Sequence, residues 1–206
     1  MEDAKQLVVA IARVLSAAVE MHDPYTAGHH ERVAELTRAM GWELGLDVES
    51  LEKLYIAALI HDVGKIGLPV EILGKPCALE RDEMKLIKMH PVLGYNLVRK
   101  AGLPQPIPEV IYQHHERLDG SGYPRGLKGD QIILEARVLA VADVVEAIVS
   151  NRPHRNALGL EAALYELSKN QGKLYDPRVV QVCVKLLSGE RKGFLFSASP
   201  RISPDS

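Results

Sequence analysis

The chain has 206 residues, 47% of them hydrophobic, 25% charged and 5% aromatic. That length suits one domain of ordinary size, able to bury a core without disulfide staples. The formal net charge of −2 excludes a basic field for holding nucleic acid or anionic lipid, so any phosphate must be gripped locally. Cys77 and Cys183 lie far apart in no close-spaced motif, which fits a reducing compartment. No apolar run approaches the roughly 20 residues of a membrane span. Residues 7–19 are apolar, but Glu2, Asp3 and Arg13 argue against a signal peptide. A cytoplasmic protein without membrane insertion or nucleic-acid partner is expected. What remains to be explained is the set of eight histidines.

Apolar residues recur at helical spacing almost throughout. Leu7, Val8, Ile11, Val14, Leu15, Ala18 and Val19 draw one face of a first helix. Asp23-Pro24 reads as a cap followed by proline at the first helical position, restarting the chain. Val33, Leu36, Met40 and Leu44 line the next helix, which Gly45 should end. A third helix carries Leu51, Leu54, Tyr55, Ala58 and Leu59 into His61-Asp62. Met84, Ile87, Leu93, Leu97 and Val98 continue the pattern, with a break at His90-Pro91. Pro108 opens a short helix with Val110, Ile111 and His114 on one side. Between Glu116 and Asp130 glycines and turn formers predict a loop. The most apolar helix follows over residues 134–149, then another over 160–169, and a last one from Asp176-Pro177. Residues 190–206 lack periodicity and read as a flexible tail. The expectation is an all-α, single helical bundle: a connecting helix over 1–21, one domain over 22–189, then the tail.

Asp143 lies in a helix that is otherwise apolar on nearly every side. A carboxylate there must be paired or bound to a metal; an arginine or backbone amides would serve as well as an ion. His114-His115 ends an amphipathic helix, and neighbouring residues point about 100° apart, so both rings meet one site only at a helix end. His114 continues the stripe of Ile107, Val110 and Ile111, which favours burial over a surface pair. His61-Asp62 closes a buried helix face, with Lys65 one turn on and Gly64 and Gly67 leaving room for a ligand. A second His-Asp pair, His22-Asp23, reads as structural, with Asp23 as an N-cap. His90 sits at a helix break. His29 shares the core face of Val33, whereas His30 points away and reads as a surface residue. His154 fits either place.

Imidazoles and carboxylates without cysteine make a nitrogen and oxygen ligand set. It suits iron, manganese, cobalt or zinc in a catalytic setting and disfavours a structural thiolate zinc site. Six or seven candidates exceed what one ion uses, so two ions sharing Asp62 as bridge is the economical arrangement. Two close ions can activate a water between them and stabilise an in-line displacement at phosphorus.

With these residues in hand, the sequence resembles the HD-GYP family, a branch of the HD metal-dependent phosphohydrolases. The motifs are Gly28-His29 with Glu31-Arg32-Val33, His61-Asp62-Val63-Gly64-Lys65-Ile66-Gly67, His90 and His114-His115-Glu116. They continue through Asp119-Gly120-Ser121-Gly122-Tyr123-Pro124, Gly126-Leu127, Val141-Ala142-Asp143 and Arg152-Pro153. The resemblance implies a helical bundle that hydrolyses cyclic di-GMP to the linear dinucleotide pGpG and, in some members, onward to GMP. It implies one metal on His29, His61, Asp62 and Asp143, and a second on Asp62, His90, His114 and His115. Iron is the metal it implies first, with manganese or another transition metal able to replace it. Lys65 would stand beside the scissile phosphate. Arg152 and Arg155 would grip phosphate, although a solvated surface face is the plainer reading of such a pair. Gly122, Tyr123 and Pro124 belong to the signature loop, near the active site, where the resemblance implies substrate binding and partner contacts.

Three positions depart from the family pattern. Tyr25 stands where some relatives carry a glutamate that helps hold a third metal, so two ions are expected. His154 replaces a common tyrosine, and Ile133 a frequent proline. Control would come through the helix over 1–21, which could also mediate oligomerisation, or through partner proteins. Cyclic GMP-AMP is the alternative substrate, and two competing readings are a cyclic-dinucleotide sensor or partner-docking module without turnover and a di-iron oxygenase. The filled ligand positions with Lys65 weigh against the first; the signature loop and the arginine pair weigh against the second.

Overall fold

The computed structural model describes residues 2–23, 26–75, 77–151 and 157–189, with side chains from residue 5 onward. Tyr25, Arg152, His154, Arg155 and the tail over 190–206 therefore lie outside the described residues. Among those described there are ten α-helices: α1 (Glu2–His22), α2 (His29–Glu43), α3 (Val48–Leu59), α4 (Val70–Leu73) and α5 (Arg81–Ile87), followed by α6 (His90–Lys100), α7 (Ile107–Gln113), α8 (Leu134–Val149), α9 (Leu160–Asn170) and α10 (Pro177–Ser188). Short 3-10 turns occupy Val63–Gly67 and Gly129–Gln131. No strand is present among the described residues, so the all-α expectation holds.

Helix ends follow local chemistry. Asp47 caps α3 by accepting from the Ser50 amide at 2.8 Å, and Asp176 caps α10 by accepting from Arg178 at 2.8 Å, with Pro177 in the first turn. Gly45, at φ +83°, closes α2 in the left-handed conformation that glycine adopts without penalty. The restart expected at Asp23-Pro24 falls partly outside the described residues, because Pro24 and Tyr25 are not among them. The Thr26 amide and hydroxyl both donate to the Asp23 carbonyl (3.0 and 2.7 Å), and α2 begins at His29. The Asp23 carboxylate accepts from Lys65 at 3.0 Å. The break at His90-Pro91 falls slightly earlier: α5 ends at Ile87 and His90 opens α6.

The helix over 134–149 is the most apolar of the chain because it is central. As α8 it packs against α2, α7, α9 and α10, and Val138, Leu139, Val141, Ala142 and Val145 are fully buried. Each such valine or leucine contributes about 1.5–3 kcal/mol of burial. The core continues through Leu36, Met40, Leu54, Leu59 and Ile111, while α1 lies over α3 and the turn at Val63–Gly67.

One close crossing fixes the site. A Cβ on Gly64 would stand 2.0 Å from the His90 carbonyl oxygen and 2.5 Å from the Gly94 nitrogen. The space at Gly64 is therefore filled by the backbone of α6 and is not open to a ligand. Gly67 likewise faces Leu93, 3.2 Å from its would-be Cβ. These glycines press α6 against the turn that follows Asp62, which brings His90 to the carboxylate.

Candidate metal centre

Helix ends leave their last carbonyls without partners inside the helix. Three histidines use those carbonyls. The Nδ1–H of His61 donates to the Ala58 carbonyl, that of His90 to Ile87 and that of His114 to Ile111, each at 2.7 Å. In each case the acceptor is the residue three positions earlier. A carbonyl only accepts, so Nδ1 carries a proton, and a ring in its neutral form then presents an Nε2 lone pair to the interior. Burial pushes His61 down to about 4 and His114 down to about 3, so both are neutral near pH 7.

The lone pairs converge. Nε2 of His90 lies 3.3 Å from Nε2 of His114 and 3.2 Å from Oδ1 of Asp62. Neutral rings in this tautomer bring three acceptors together without a donor, an arrangement that a cation satisfies. Ligand atoms of Asp62, His90, His114 and His115 all lie within 4.8 Å of one another, and so do those of His29, His30, His61 and Asp62. Asp62 belongs to both groups, as a bridging ligand must. Asp143 is in neither, but its Oδ1 lies 3.3 Å from His29 Nε2 and 3.9 Å from His61 Nε2. All seven residues expected as ligands thus meet in one region. A buried nitrogen and oxygen donor set of this kind fits divalent transition metals.

Burial opposes charge on Asp62, yet Lys65 and the surrounding imidazoles hold its pKa well below the usual carboxylate range. Lys65 Nζ sits between Asp62 Oδ2 at 2.8 Å and Asp23 Oδ2 at 3.0 Å; these two carboxylates keep it cationic against burial. The second His-Asp pair is thereby drawn toward the site through Asp23, while His22 Nε2 contacts the Leu68 carbonyl at 2.9 Å.

The sequence reading missed Glu146. Its side chain is 1% exposed, hydrogen-bonded to His29 Nδ1 and clamped by the Arg32 guanidinium at 2.6 and 2.8 Å. Burial opposes its charge, but His29 and Arg32 hold it at about 2. Reciprocally, although burial works against it, Asp143 and Glu146 raise His29 above its ordinary value. The signal was available: a carboxylate one turn after Asp143 on the same apolar helix invites the same question. His30 requires a correction. It is fully buried, because α1 covers the side of α2 that a single-face reading leaves to solvent.

The signature loop folds back on the site. A Cβ on Gly122 would lie 2.4 Å from the His115 carbonyl oxygen and 2.5 Å from the Arg117 nitrogen, so only glycine lets the loop approach. The Tyr123 ring then stacks on His115 at 4.7 Å between centroids, and its amide donates to the His115 carbonyl. The buried Glu116 carboxylate accepts from the Arg125 and Leu127 amides at 2.7 and 2.9 Å, closing the loop.

The family model for the HD domain matches residues 13–179. The chain belongs to the HD domain family. It is 39% identical over 178 residues to a cyclic di-GMP phosphodiesterase of Thermotoga maritima, covering 85% of this chain and 48% of that protein. It is 41% identical over 173 residues to the cyclic di-GMP phosphodiesterase response regulator RpfG of Xanthomonas campestris, covering 83% and 46%. The HD-GYP resemblance read from the sequence is borne out by these matches. The chain spans about half the length of these curated relatives. Its fold matches a crystal structure of a Vibrio cholerae cyclic GMP-AMP phosphodiesterase with a TM-score of 0.73 at 20% identity, covering 91% of this chain and 50% of that one. The HD domain with its buried histidine and aspartate cluster marks a metal site. Among the described residues, no helix is long and apolar enough to cross a membrane.

Proposed function

We propose that the chain is a metal-dependent phosphodiesterase acting in the cytoplasm on cyclic di-GMP, yielding linear pGpG, with GMP the product only where hydrolysis goes a step further. The observation that carries this reading is the pair of histidine clusters sharing Asp62 beside Lys65. Two ions, iron first and manganese as the alternative, would be held by His29, His61, Asp62 and Asp143 and by Asp62, His90, His114 and His115. When bound they supply Lewis acidity at the phosphoryl oxygens and lower the pKa of an attacking water.

The residues of this chain divide the remaining work. Asp62, kept ionised by Lys65, joins the two halves of the site. Lys65 places a fixed cation at the rim of the cluster, where a phosphodiester gaining charge in an in-line displacement is stabilised. Arg152 and Arg155, outside the described residues, would grip the second phosphate; guanidinium forks suit that task in a chain of net charge −2. Gly122, Tyr123 and Pro124 hold the wall behind His115 and offer a surface to signalling partners.

Anaerobic purification followed by metal analysis and chromatography of cyclic di-GMP, cyclic GMP-AMP and linear dinucleotides tests the reading. The expected result is two ions per chain and preferential loss of cyclic di-GMP. Preferential turnover of cyclic GMP-AMP would reassign the substrate, and metal-loaded protein that leaves both cyclic dinucleotides intact would overturn the assignment.

A further inference from the structure

His30 repeats the geometry of its neighbours. Metal-ligating histidines characteristically give their other ring nitrogen to a carboxylate, carbonyl or water, which fixes the ring and raises its basicity. His29 does so with Glu146, and His61, His90 and His114 do so with helix-end carbonyls. In His30 the Nδ1 lies 3.1 Å from the Ser16 hydroxyl and 3.4 Å from Glu20 Oε1, both on α1. Its Nε2 points inward, 3.6 Å from Asp62 Oδ2, with its ring centroid 5.3 Å from that of His61.

That nitrogen is the outlier. Among the described residues only two buried side-chain polar atoms lack a hydrogen bond, and they are His30 Nε2 and Thr37 Oγ1. Buried polar groups are nearly always satisfied, so an orphan aimed into a donor cluster calls for an occupant. A histidine serving only to fill the core would be complete with Ser16 and Glu20 and would not need its second nitrogen beside Asp62.

We propose that His30 is a ligand to the ion in the His29 and His61 half of the centre, oriented by Ser16 and Glu20. It becomes the sixth imidazole of the site, and α1 becomes part of the site's outer wall. The assignment rests on the metal-centre reading above but not on the identity of the substrate. Ser16 and Glu20 are positioning residues, acting on the ion only through the ring.

The test uses the full chain, stripped of metal and titrated with Mn(II) under anaerobic conditions, with pulsed EPR counting coupled imidazole nitrogens. His30→Ala should weaken one ion by about 100-fold or more, since loss of an outer partner alone costs 10–100-fold. It should leave the other ion within about threefold and remove one coupled nitrogen from the count. The double variant Ser16→Ala with Glu20→Gln keeps the ring and should weaken the same ion by about 10–100-fold. If His30→Ala fails to fold, as judged by its thermal melt, the double variant decides the matter. Two ions bound within about threefold of wild type with an undiminished nitrogen count would overturn the proposal, as would a wild-type chain that binds no ion. Wild-type protein that binds two ions through His30 yet hydrolyses neither cyclic dinucleotide would sink the substrate assignment and leave His30 a ligand.

Discussion

The two halves of the centre are held by different physics. In the half of His90 and His114, each ring is fixed by a carbonyl three residues earlier, and His115 is backed by a tyrosine eight residues on. In the half of His29 and His30, the rings are fixed by carboxylates from remote helices, Glu146 on α8 and Glu20 on α1. His61 belongs to the second half but uses the local device. Local fixing orients a ring as soon as its helix forms; remote fixing requires the bundle to assemble first. One half is thus a property of helix ends and the other a property of packing.

Asp62 is where the comparison breaks, because it serves both halves. Asp62→Ala should remove both ions, abolish turnover and leave Lys65 facing Asp23 alone. Affinity for each ion should fall beyond the 10–100-fold that outer partners contribute. Metal analysis of the purified variant checks this, and retention of two ions with wild-type activity would falsify the bridging role.

Gly64→Ala should damage the local half through the backbone. Its Cβ would meet the His90 carbonyl at 2.0 Å, so α6 must move away from the turn that follows Asp62. Overpacking of this kind costs about 1–3 kcal/mol, and backbone against backbone lies at the upper end. Urea denaturation should show that loss, with the ion of His90 and His114 weakened more than its neighbour. Equal weakening of both ions would mean that the crossing braces the whole bundle.

Glu146→Gln probes the remote half. It keeps the shape but removes the charge that Arg32 and His29 share, so the ion near His29 should weaken by about 10–100-fold while the other is unchanged. Calorimetric titration of the metal-free variant separates the two ions.

How far the sequence could be read follows the same division. His61, His90 and His114 were legible because each sits where apolar periodicity stops, and a helix end is visible in one dimension. Asp143 was legible because a carboxylate in an apolar helix must be compensated. His30 was misread because its partners Ser16 and Glu20 lie on another helix, and periodicity shows which residues share a face but not how many faces are covered. Gly64 was misread for a related reason: a glycine announces close approach without saying what approaches. The helix over 134–149 was readable to the residue, because a run so predominantly apolar has little alternative to the centre of a bundle.

The pH dependence of the metal-free chain should split along the same line. His61 titrates near 4, His114 near 3 and His115 well below its ordinary value, all chiefly through burial. Unfolded histidine titrates near 6.5, so between about pH 6.5 and 4 the unfolded chain binds more protons and stability falls as pH falls. Each ring contributes up to about 1.4 kcal/mol per pH unit across that window. His29 has the opposite sign: its raised pKa stabilises the fold below 6.5, and that contribution is lost as pH rises through the folded value. Urea midpoints should therefore fall from pH 6.5 to 5, and Glu146→Gln should leave that acid limb intact while flattening the alkaline one. An acid limb that vanishes in Glu146→Gln would show that the two halves titrate together.

The smallest effect is expected at the signature loop. Tyr123 neither contributes an atom to the two ligand groups nor carries a hydrogen bond from its hydroxyl among the described contacts; its face rests on His115, and Lys88 Nζ lies 5.1 Å from its ring centroid. Aromatic stacking contributes about 0.5–1.5 kcal/mol beyond area burial, which corresponds to a change of about 2- to 12-fold. Tyr123→Leu keeps an apolar wall and removes the stacking, so the ion near His115 should weaken within that range. Tyr123→Phe keeps the ring and should be indistinguishable from wild type in metal affinity. If the loop also meets partners through this tyrosine, its hydroxyl is the part left over for them, and Tyr123→Phe should weaken that contact alone. A large loss of metal in Tyr123→Phe would instead place the hydroxyl in the centre and erase the distinction between the half that is braced by stacking and the half that is braced by charge.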